Sequence, residues 1–164
     1  MNKRNLIFPR VLALLVILVG LLAYLYVGQI YVSFGPSMEP TIYDGERIVV
    51  DKKVYDSIKP RRDDVVALIS PIQGRYFVKR VVAQARDEVT VDKNGIVLNG
   101  KPIPNTEGPW RSLNYVLKAN EVYVLGDNKY ESSDSRDFGP IKVDKIIGEV
   151  KAVIWPPSSW RLVN

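Results

Sequence analysis

Residues 89–98 read VTVDKNGIVL, and they set the fold class of the chain. Two runs rich in β-branched residues, 89–91 and 96–98, flank Asp92-Lys93-Asn94-Gly95. An Asn-Gly pair between alternating apolar residues is a strong signal for a β-hairpin, because both residues tolerate the positive φ of a tight turn. Asn99-Gly100 follows at once and indicates a second turn. The middle of the chain is therefore predicted to consist of antiparallel strands.

The same pattern extends in both directions from this hairpin. Short runs rich in β-branched residues and bounded by turn residues predict further strands, at residues 47–50, 65–69, 77–83, 121–125 and 146–155. Residues 100–115 are rich in turn residues and read as loop. We find no convincing amphipathic helix beyond the N-terminal segment. The body is therefore predicted to be one mainly β domain of antiparallel strands.

Residues 11–28, VLALLVILVGLLAYLYVG, predict one transmembrane helix. A helix of this length reaches about 27 Å, close to the ~30 Å hydrocarbon core of a bilayer. The preceding Lys3, Arg4 and Arg10 favour a cytoplasmic N-terminus. A cleaved signal peptide is one alternative, although its apolar region would be shorter, and a buried soluble helix is another. We expect a cytoplasmic segment at 1–10, an anchor at 11–28 and an extracytoplasmic domain at 29–164.

The chain has no cysteine and no histidine, which excludes several kinds of site. Disulfides, thiol nucleophiles and thiolate metal sites are ruled out, and so is imidazole as metal ligand or general base. We expect no metal and no cofactor. The net charge is +5, and Lys3, Arg4 and Arg10 supply much of the excess. Elsewhere basic and acidic residues are interspersed, so no nucleic-acid surface is predicted.

Ser37 lies shortly after the predicted anchor, in Gly35-Pro36-Ser37-Met38-Glu39-Pro40-Thr41. A serine beside glycine and proline is most often a turn residue. The same neighbours can stiffen the backbone, and a nucleophile with its oxyanion donor requires a rigid backbone. If Ser37 is a nucleophile, its base cannot be imidazole, and an amine is the only strong candidate.

Lys79 lies inside an apolar run, residues 76–82. A Lys-Arg pair in a strand usually marks a solvated or edge face. Strand alternation gives a second interpretation, because Phe77, Lys79 and Val81 share one face and burial of that face would bury the amine. Burial lowers a lysine pKa, and a fall of roughly 2 units leaves ~10% of the amine neutral and able to accept a serine proton. Spacing alone leaves both interpretations open.

Residues 126–139 read GDNKYESSDSRDFG and are typical of a polar surface loop. They also place hydroxyls, carboxylates and a guanidinium between two apolar strands. Such a loop could orient a neutral lysine and brace itself with an Asp–Arg pair. Other catalytic templates are absent, since the chain has no Gly-x-Ser-x-Gly elbow around Ser37 and no Ser-x-x-Lys motif there.

Together, in order and behind one N-terminal span, these segments resemble the type I signal peptidases, membrane-anchored serine proteases that remove signal peptides. The stretch from Ser37 to Thr41 is similar to the nucleophile motif, and the stretch from Lys79 to Val82 to the general-base motif. The last family motif is matched by Gly126-Asp127-Asn128, Ser132, Asp134-Ser135-Arg136 and Phe138-Gly139, and a weaker one by Arg62-Asp63-Asp64-Val65. The resemblance runs from the span to about Trp155.

The resemblance implies a role for each matched residue. Ser37 attacks the scissile carbonyl, its amide donates to the oxyanion, and Lys79 is the general base. Ser132 hydrogen-bonds Lys79, and Asp134 and Arg136 form a supporting ion pair. The resemblance makes structural neighbours of the site of Asp127, Asn128 and Arg80. It implies that the pockets for small residues are lined by Met38, Ile42, Phe77 and Val78. The implied substrate is a preprotein cut after Ala-like residues at the first and third positions before the cleavage site, bound as an added strand.

The sequence departs from the family pattern at several positions. Gly35 stands where some members have a serine that donates to the oxyanion, and Gln84-Ala85-Arg86-Asp87 replaces the usual Leu-Pro-Gly-Asp turn. Lys129 replaces a common arginine. No departure removes a catalytic group.

Two functions other than a membrane peptidase are compatible with parts of this pattern. A self-cleaving repressor-type Ser–Lys protease would share a similar fold, but it requires a DNA-binding N-terminus in place of the apolar segment. A catalytically inactive anchored β domain that only binds partners would not need Ser37, Lys79 and Ser132 together. We therefore expect a monomeric signal peptidase with a single span, whose partners are preprotein signal peptides and the cell membrane.

Overall fold

The computed structural model describes residues 4–26, 29–72 and 74–163. Over these residues it contains three α-helices, α1 Arg4–Tyr26, α2 Val54–Ser57 and α3 Ser135–Phe138. The strands are β1 Gln29–Val32, β2 Arg47–Asp51, β3 Val65–Ile69, β4 Tyr76–Ala83, β5 Glu88–Asp92, β6 Gly95–Leu98, β7 Lys101–Ile103, β8 Leu113–Val116, β9 Glu121–Leu125, β10 Ile141–Lys142, β11 Ile146–Trp155 and β12 Arg161–Leu162. Short 3₁₀ turns cover Val143–Lys145 and Pro157–Ser159.

The strands form two sheets. The larger sheet has the order β1-β2-β11-β3-β4-β9-β10, with β12 paired to β11, and the smaller has the order β7-β6-β5-β8. Every strand pairing among the described residues is antiparallel. The prediction of a mainly β, antiparallel fold is confirmed.

The two turns predicted from Asn-Gly pairs both exist, but they differ in geometry. Asp92 pairs with Gly95, so residues 93 and 94 make the first turn, and Gly95 follows it with φ 113°. At the second turn Asn99 (φ 48°) and Gly100 (φ 78°) are the two central residues, with Leu98 paired to Lys101. Positive φ at both central residues is the geometry that suits a two-residue hairpin.

Strand β3 lies between two apolar layers, which explains its unbroken apolar sequence. Val65 and Ala67 contribute to one buried cluster, and Val66 and Leu68 to another on the opposite face. Met38 and Ile42, from the loop that carries Ser37, complete the first cluster. The third cluster joins the two sheets through buried side chains of β4, β5, β6 and β9, together with Leu117. The loop with Ser37 is therefore packed directly onto the core.

Helix α1 covers most of the predicted anchor. The described side chains of residues 9–20 are all exposed, including apolar residues such as Leu14 and Ile17. Within the described residues, no helix has both the length and the apolar character needed to cross a membrane. Residues 27 and 28 of the predicted anchor, and the side chains of residues 21–28, lie outside what the structure describes.

The structure adds elements that the sequence pattern did not reveal. Strand β1 follows α1 and pairs along its length with β2. Residues 100–115, interpreted as loop, contain β7 and begin β8, and these two strands are the edges of the smaller sheet. Helices α2 and α3 are single turns, too short for a periodic apolar pattern. The prediction of a loop over 100–115 was therefore wrong in part.

Candidate active site

Lys79 is buried because strand alternation places it on the inner face of β4. Lys79, Val81 and Ala83 are all buried, while the residues between them are partly exposed. Lys79 pairs with Val66 of β3 on one side. On the other side β9 pairs with β4 from Arg80 onward, so the backbone edge of residues 76–79 is not paired with β9. The interpretation of Lys79 as a buried lysine, rather than a solvated one, is the one the structure bears out.

Ser37 lies in a compact turn that its own backbone stabilises. Pro36 O accepts from Glu39 N at 3.0 Å, and Met38 O accepts from Ile42 N at 2.9 Å. The side chains of Met38 and Ile42 point into the core. Asn128 N donates to Ser37 O at 3.1 Å and ties this turn to the 126–139 loop. The serine backbone is thus fixed from both sides.

The two side chains meet although 42 residues separate them. Lys79 Nζ donates to Ser37 Oγ at 2.7 Å and to Val78 O at 3.0 Å. It also lies 5.0 Å from the ring centroid of Phe77. Burial lowers the pKa of Lys79 from 10.5 to about 8; Asp134 and Asp127 oppose this fall, and Arg136 adds to it. At pH 7.4 a pKa near 8 leaves roughly a fifth of the amine neutral.

The predicted Asp134–Arg136 ion pair is present and buried. Arg136 donates to Asp134 through Nε at 2.8 Å and Nη2 at 2.9 Å, and both side chains are 1% exposed or less. Asp134 also caps α3, in a capping box with Asp137. Its second oxygen accepts from Gly126 N at 3.0 Å. The pair therefore closes the 126–139 loop at both ends.

Ser132 differs from what the resemblance implied. Its hydroxyl is buried but has no hydrogen-bond partner, so the implied bond to Lys79 is not formed in this structure. Lys79 donates instead to Ser37 and to its neighbour's carbonyl. Ser132 Oγ packs over Gly126, where an added Cβ would also lie 2.5 Å from Ser37 O. The hydroxyl thus lies near the turn that carries Ser37 and makes no hydrogen bond to the amine.

Arg80 and Asp127 form a second ion pair beside the site. Arg80 donates through Nε at 2.9 Å and Nη2 at 2.8 Å, an arrangement that holds the carboxylate at two points. Burial by itself would raise the pKa of Asp127, but the bonds from Arg80 outweigh it and leave that pKa below its usual value. Arg80 Nη2 reaches Thr41 Oγ1 at 3.4 Å. The structural roles implied for Arg80, Asp127 and Asn128 fit these contacts.

A cleft of about 770 Å³ opens onto Ser37 and Lys79. Met38, Phe77 and Val78 line it, and β1 forms one wall. Ile42 does not line this cleft; it is fully buried in the core beneath Met38, so its assignment as a pocket residue was wrong. The sequence alone missed Arg75, Tyr76, Glu131 and Ser133, which also line the cleft. Tyr76 begins β4 and the other three lie in loops, and no local pattern in the sequence marks any of them as lining a cleft.

The arrangement suits acyl transfer. A hydroxyl and an amine of lowered pKa lie within hydrogen-bonding distance on rigid backbone, as a nucleophile and its base require. The described residues contain no group of three or more carboxylates placed to hold a metal ion.

The chain is similar in sequence to members of one protein family. Residues 6–155 match the family model described as signal peptidase, peptidase S26. Signal peptidase I of Bacillus caldolyticus is 31% identical over 80% of this chain and 82% of that protein. Signal peptidase IB of Staphylococcus aureus (strain COL) is 31% identical over 80% of each chain. A crystal structure of a signal peptidase I from Enterococcus faecalis V583 gives a TM-score of 0.45 at 24% identity, covering 56% of this chain and 96% of that one.

Proposed function

The chain belongs to the signal peptidase family, peptidase S26, and from that premise we propose that Ser37 and Lys79 carry out its cleavage of signal peptides. The protein is a serine endopeptidase that processes preproteins. The observation that carries the residue assignment is the 2.7 Å contact between Ser37 Oγ and a buried Lys79 Nζ.

The proposed mechanism uses one base in four proton transfers. Neutral Lys79 accepts the proton of Ser37 as Oγ attacks the scissile carbonyl, and the backbone amide of Ser37 donates to the developing oxyanion. Lys79 then protonates the departing amine, which leaves an acyl-serine. A water gives a proton to Lys79 and attacks the ester carbonyl; the ester bond then breaks, Lys79 returns the proton to Ser37 Oγ, and the signal peptide departs with a new C-terminal carboxyl group.

Asp134, Arg136 and Asp127 act on this base through their charges. The two carboxylates raise the pKa of Lys79 and Arg136 lowers it, so the loop tunes an amine whose pKa is set mainly by burial. Ser132 lies close to the turn that carries Ser37, and a movement of its side chain during the reaction would bring its hydroxyl to the amine.

The substrate binds as an extended strand in the cleft. The edge of residues 76–79 that β9 leaves unpaired can accept main-chain hydrogen bonds from a peptide. Met38, Phe77 and Val78 make the nearby walls apolar. Such walls exclude bulky side chains sterically and favour Ala-like residues before the cut. Ala-x-Ala-like sites are therefore the proposed cleavage sequences.

The protein acts at a membrane, and we propose a single-pass anchor at residues 11–28 with residues 1–10 in the cytoplasm and 29–164 outside. The support is the apolar sequence of α1, its exposed described side chains and the basic residues that precede the apolar run. Strand β1 starts at Gln29, so the cleft lies close to the end of the anchor.

The test is cleavage of a preprotein by purified protein in detergent, with N-terminal sequencing of the product. Ser37→Ala and Lys79→Ala are expected to lose cleavage entirely. The exposed Ser112→Ala and Lys101→Ala are matched controls and should cleave like the wild type. Full cleavage by either site variant would exclude the pair, and no cleavage by the wild type would leave an anchored β domain that only binds partners.

A further inference from the structure

An arginine from the far end of the chain is hydrogen-bonded to the loop that carries Ser37. Arg161, in β12, donates to Thr41 O through Nε at 3.1 Å and Nη2 at 2.8 Å. Thr41 stands 120 residues earlier and belongs to the same turn as the serine. None of the motifs that identified the family includes this arginine.

The same guanidinium also holds the exit of that loop. Arg161 Nη1 donates to Glu46 Oε1 at 2.9 Å, and Nη2 bonds Glu46 Oε2. Glu46 Oε2 in turn accepts from Tyr43 N at 2.9 Å, and the Arg161 guanidinium lies 5.9 Å from the Tyr43 ring centroid. Ser159 O accepts a further bond from Nη1 at 2.7 Å. Four of these five guanidinium bonds join the C-terminal segment to residues 41–46, and the fifth, to Ser159 O, lies within that segment.

The electrostatics agree with a tight pair. The Glu46 side chain is 5% exposed and the Arg161 side chain 31%. Burial by itself would raise the pKa of Glu46, but the bonds from Arg161 and from the Tyr43 amide outweigh it, and the pKa lies below its usual value. A carboxylate this buried needs its cation, because an unpaired buried charge is strongly destabilising.

Thr41 connects these hydrogen bonds of Arg161 to the turn that follows Ser37. Ile42 N donates to Met38 O, so residues 38–42 form one closed turn directly after Ser37. Asn128 N holds the turn at Ser37 O, and Arg161 holds its other end at Thr41 O. Without Arg161 the turn would keep the bond from Asn128 N and the 3.4 Å contact of Arg80 Nη2 with Thr41 Oγ1, but Thr41 O would lose both of its bonds from the guanidinium. Small displacements of a nucleophile relative to its base slow a reaction strongly.

We propose that Arg161 is a positioning residue for the reaction: by gripping the Thr41 carbonyl and Glu46, it keeps Ser37 Oγ within reach of Lys79. This inference rests on the proposed function of Ser37 and Lys79. Arg161 touches neither of them and acts through the backbone of the turn.

Arg161→Ala is the variant that tests the proposal, assayed on a peptide substrate in detergent. The expected result is a fall in kcat of about tenfold or more, with KM changed by less than about twofold, because the turn moves while the cleft walls stay. The pH midpoint of kcat/KM should remain that of the wild type, since Arg161 is not among the charges that act on Lys79. Millimolar guanidinium chloride should restore part of kcat, and sodium chloride of equal ionic strength should not.

A second variant separates positioning from folding. Arg161→Ala leaves Glu46 charged and unpaired, so Arg161→Ala combined with Glu46→Gln should regain thermal stability while kcat stays low. Arg47→Ala is the matched control. Arg47 lies in β2, where its guanidinium is 5.5 Å from the ring centroid of Trp155, and none of its described side-chain contacts is with residues 38–42. Recovery of kcat together with stability in the double variant would overturn the proposal, and so would wild-type kcat in Arg161→Ala. Cleavage retained by Ser37→Ala would instead overturn the proposed function.

Discussion

Lys79 is an ionisable residue that is almost completely buried. Its side chain is 3% exposed, and its nitrogen has a hydroxyl, a carbonyl and an aromatic ring as neighbours. The carboxylates of Asp134 and Asp127 act on it but do not cancel the cost of burial, so its pKa falls to about 8. The same burial that makes the amine a usable base makes it a poor stabiliser of the fold.

The first residue-scale prediction concerns the rate at different pH values. The base is active when neutral, so kcat/KM should rise about tenfold per pH unit below pH 7 and level off above about pH 8. The measurement is kcat/KM from pH 6 to 9.5 on a peptide without groups that titrate in that range. A flat profile, or a midpoint near 10.5, would show that the lysine pKa is not lowered in the free enzyme.

The second residue-scale prediction concerns stability. Below pH 8 the folded and unfolded chains both carry the proton, and the shift from 10.5 to about 8 costs about 3 kcal/mol of folding free energy. Between pH 8 and 10.5 only the unfolded chain still binds the proton, so this cost disappears as the pH rises. Lys79→Met removes this cost and should therefore raise Tm at pH 7. The rise should be only a few degrees, because the variant also loses two hydrogen bonds, which offsets part of the gain.

Thermal unfolding of the wild type and Lys79→Met at pH 7 and pH 10 measures this effect. The gain in Tm should be smaller at pH 10, because the wild-type lysine is then neutral when folded. A variant less stable than the wild type at pH 7 would contradict the prediction. Lys101→Met is the control, because Lys101 is exposed and should show no such dependence on pH.

At the scale of elements, the one-turn helix α3 organises the loop behind the dyad. A helix of four residues has little stability of its own, because nucleation is costly. Asp134 compensates by capping α3, pairing with Arg136 and accepting from Gly126 N. Ser135 Oγ accepts from Val124 N and attaches the same turn to β9. The helix therefore depends on its buried contacts, and removing its acid should disturb the whole loop.

Asp134→Asn tests that dependence. Asparagine still caps a helix, but it leaves the buried Arg136 without its counter-charge, so we expect a loss of about 3 kcal/mol or more in the free energy of unfolding. Lys118→Ala breaks the exposed pair with Glu121 and is the control, expected to cost less than about 1 kcal/mol. Urea denaturation measures both. Equal stabilities of the two variants would mean that the buried pair contributes no more than the exposed one.

At the scale of the whole molecule, the two sheets contribute different parts of the surroundings of the site. The larger sheet supplies β4 and β1 beside the cleft, and its core packs under the nucleophile turn. The smaller sheet reaches the site loop through Trp110, whose ring centroid lies 4.8 Å from the Arg136 guanidinium. Trp110 Nε1 donates to Thr106 O at 2.7 Å and is thereby fixed to its own loop. Trp110, in the loop between β7 and β8, thus packs against the arginine of the buried ion pair in the 126–139 loop.

The prediction at this scale concerns the N-terminal segment. The proposed anchor, residues 11–28, ends just before the cleft, and such a tether would confine the enzyme to the bilayer surface and raise its local concentration near embedded substrates. Removing residues 1–28 should leave cleavage of a soluble peptide unchanged and slow the cleavage of a preprotein embedded in vesicles. Rates of both substrates for the full and trimmed chains provide the measurement. Equal rates on the vesicle-embedded preprotein would refute the role of the tether.

The sequence by itself determined the antiparallel β class, the two hairpin turns and the kind of chemistry available. Alternation and turn residues are local signals, and the absence of histidine left an amine as the base for Ser37. Family motifs then pointed to Lys79 and to the Asp134–Arg136 pair.

Only the tertiary structure decided which of these groups meet. Two of its contacts join residues distant in sequence: the bond of Lys79 to Ser37 and the bonds of Arg161 to Thr41. Two further features depend on how loops pack: the unpartnered hydroxyl of Ser132 and the burial of Ile42 in the core. Strand register and core packing fix such distances to fractions of an ångström, whereas periodicity along the chain records only which face a residue takes.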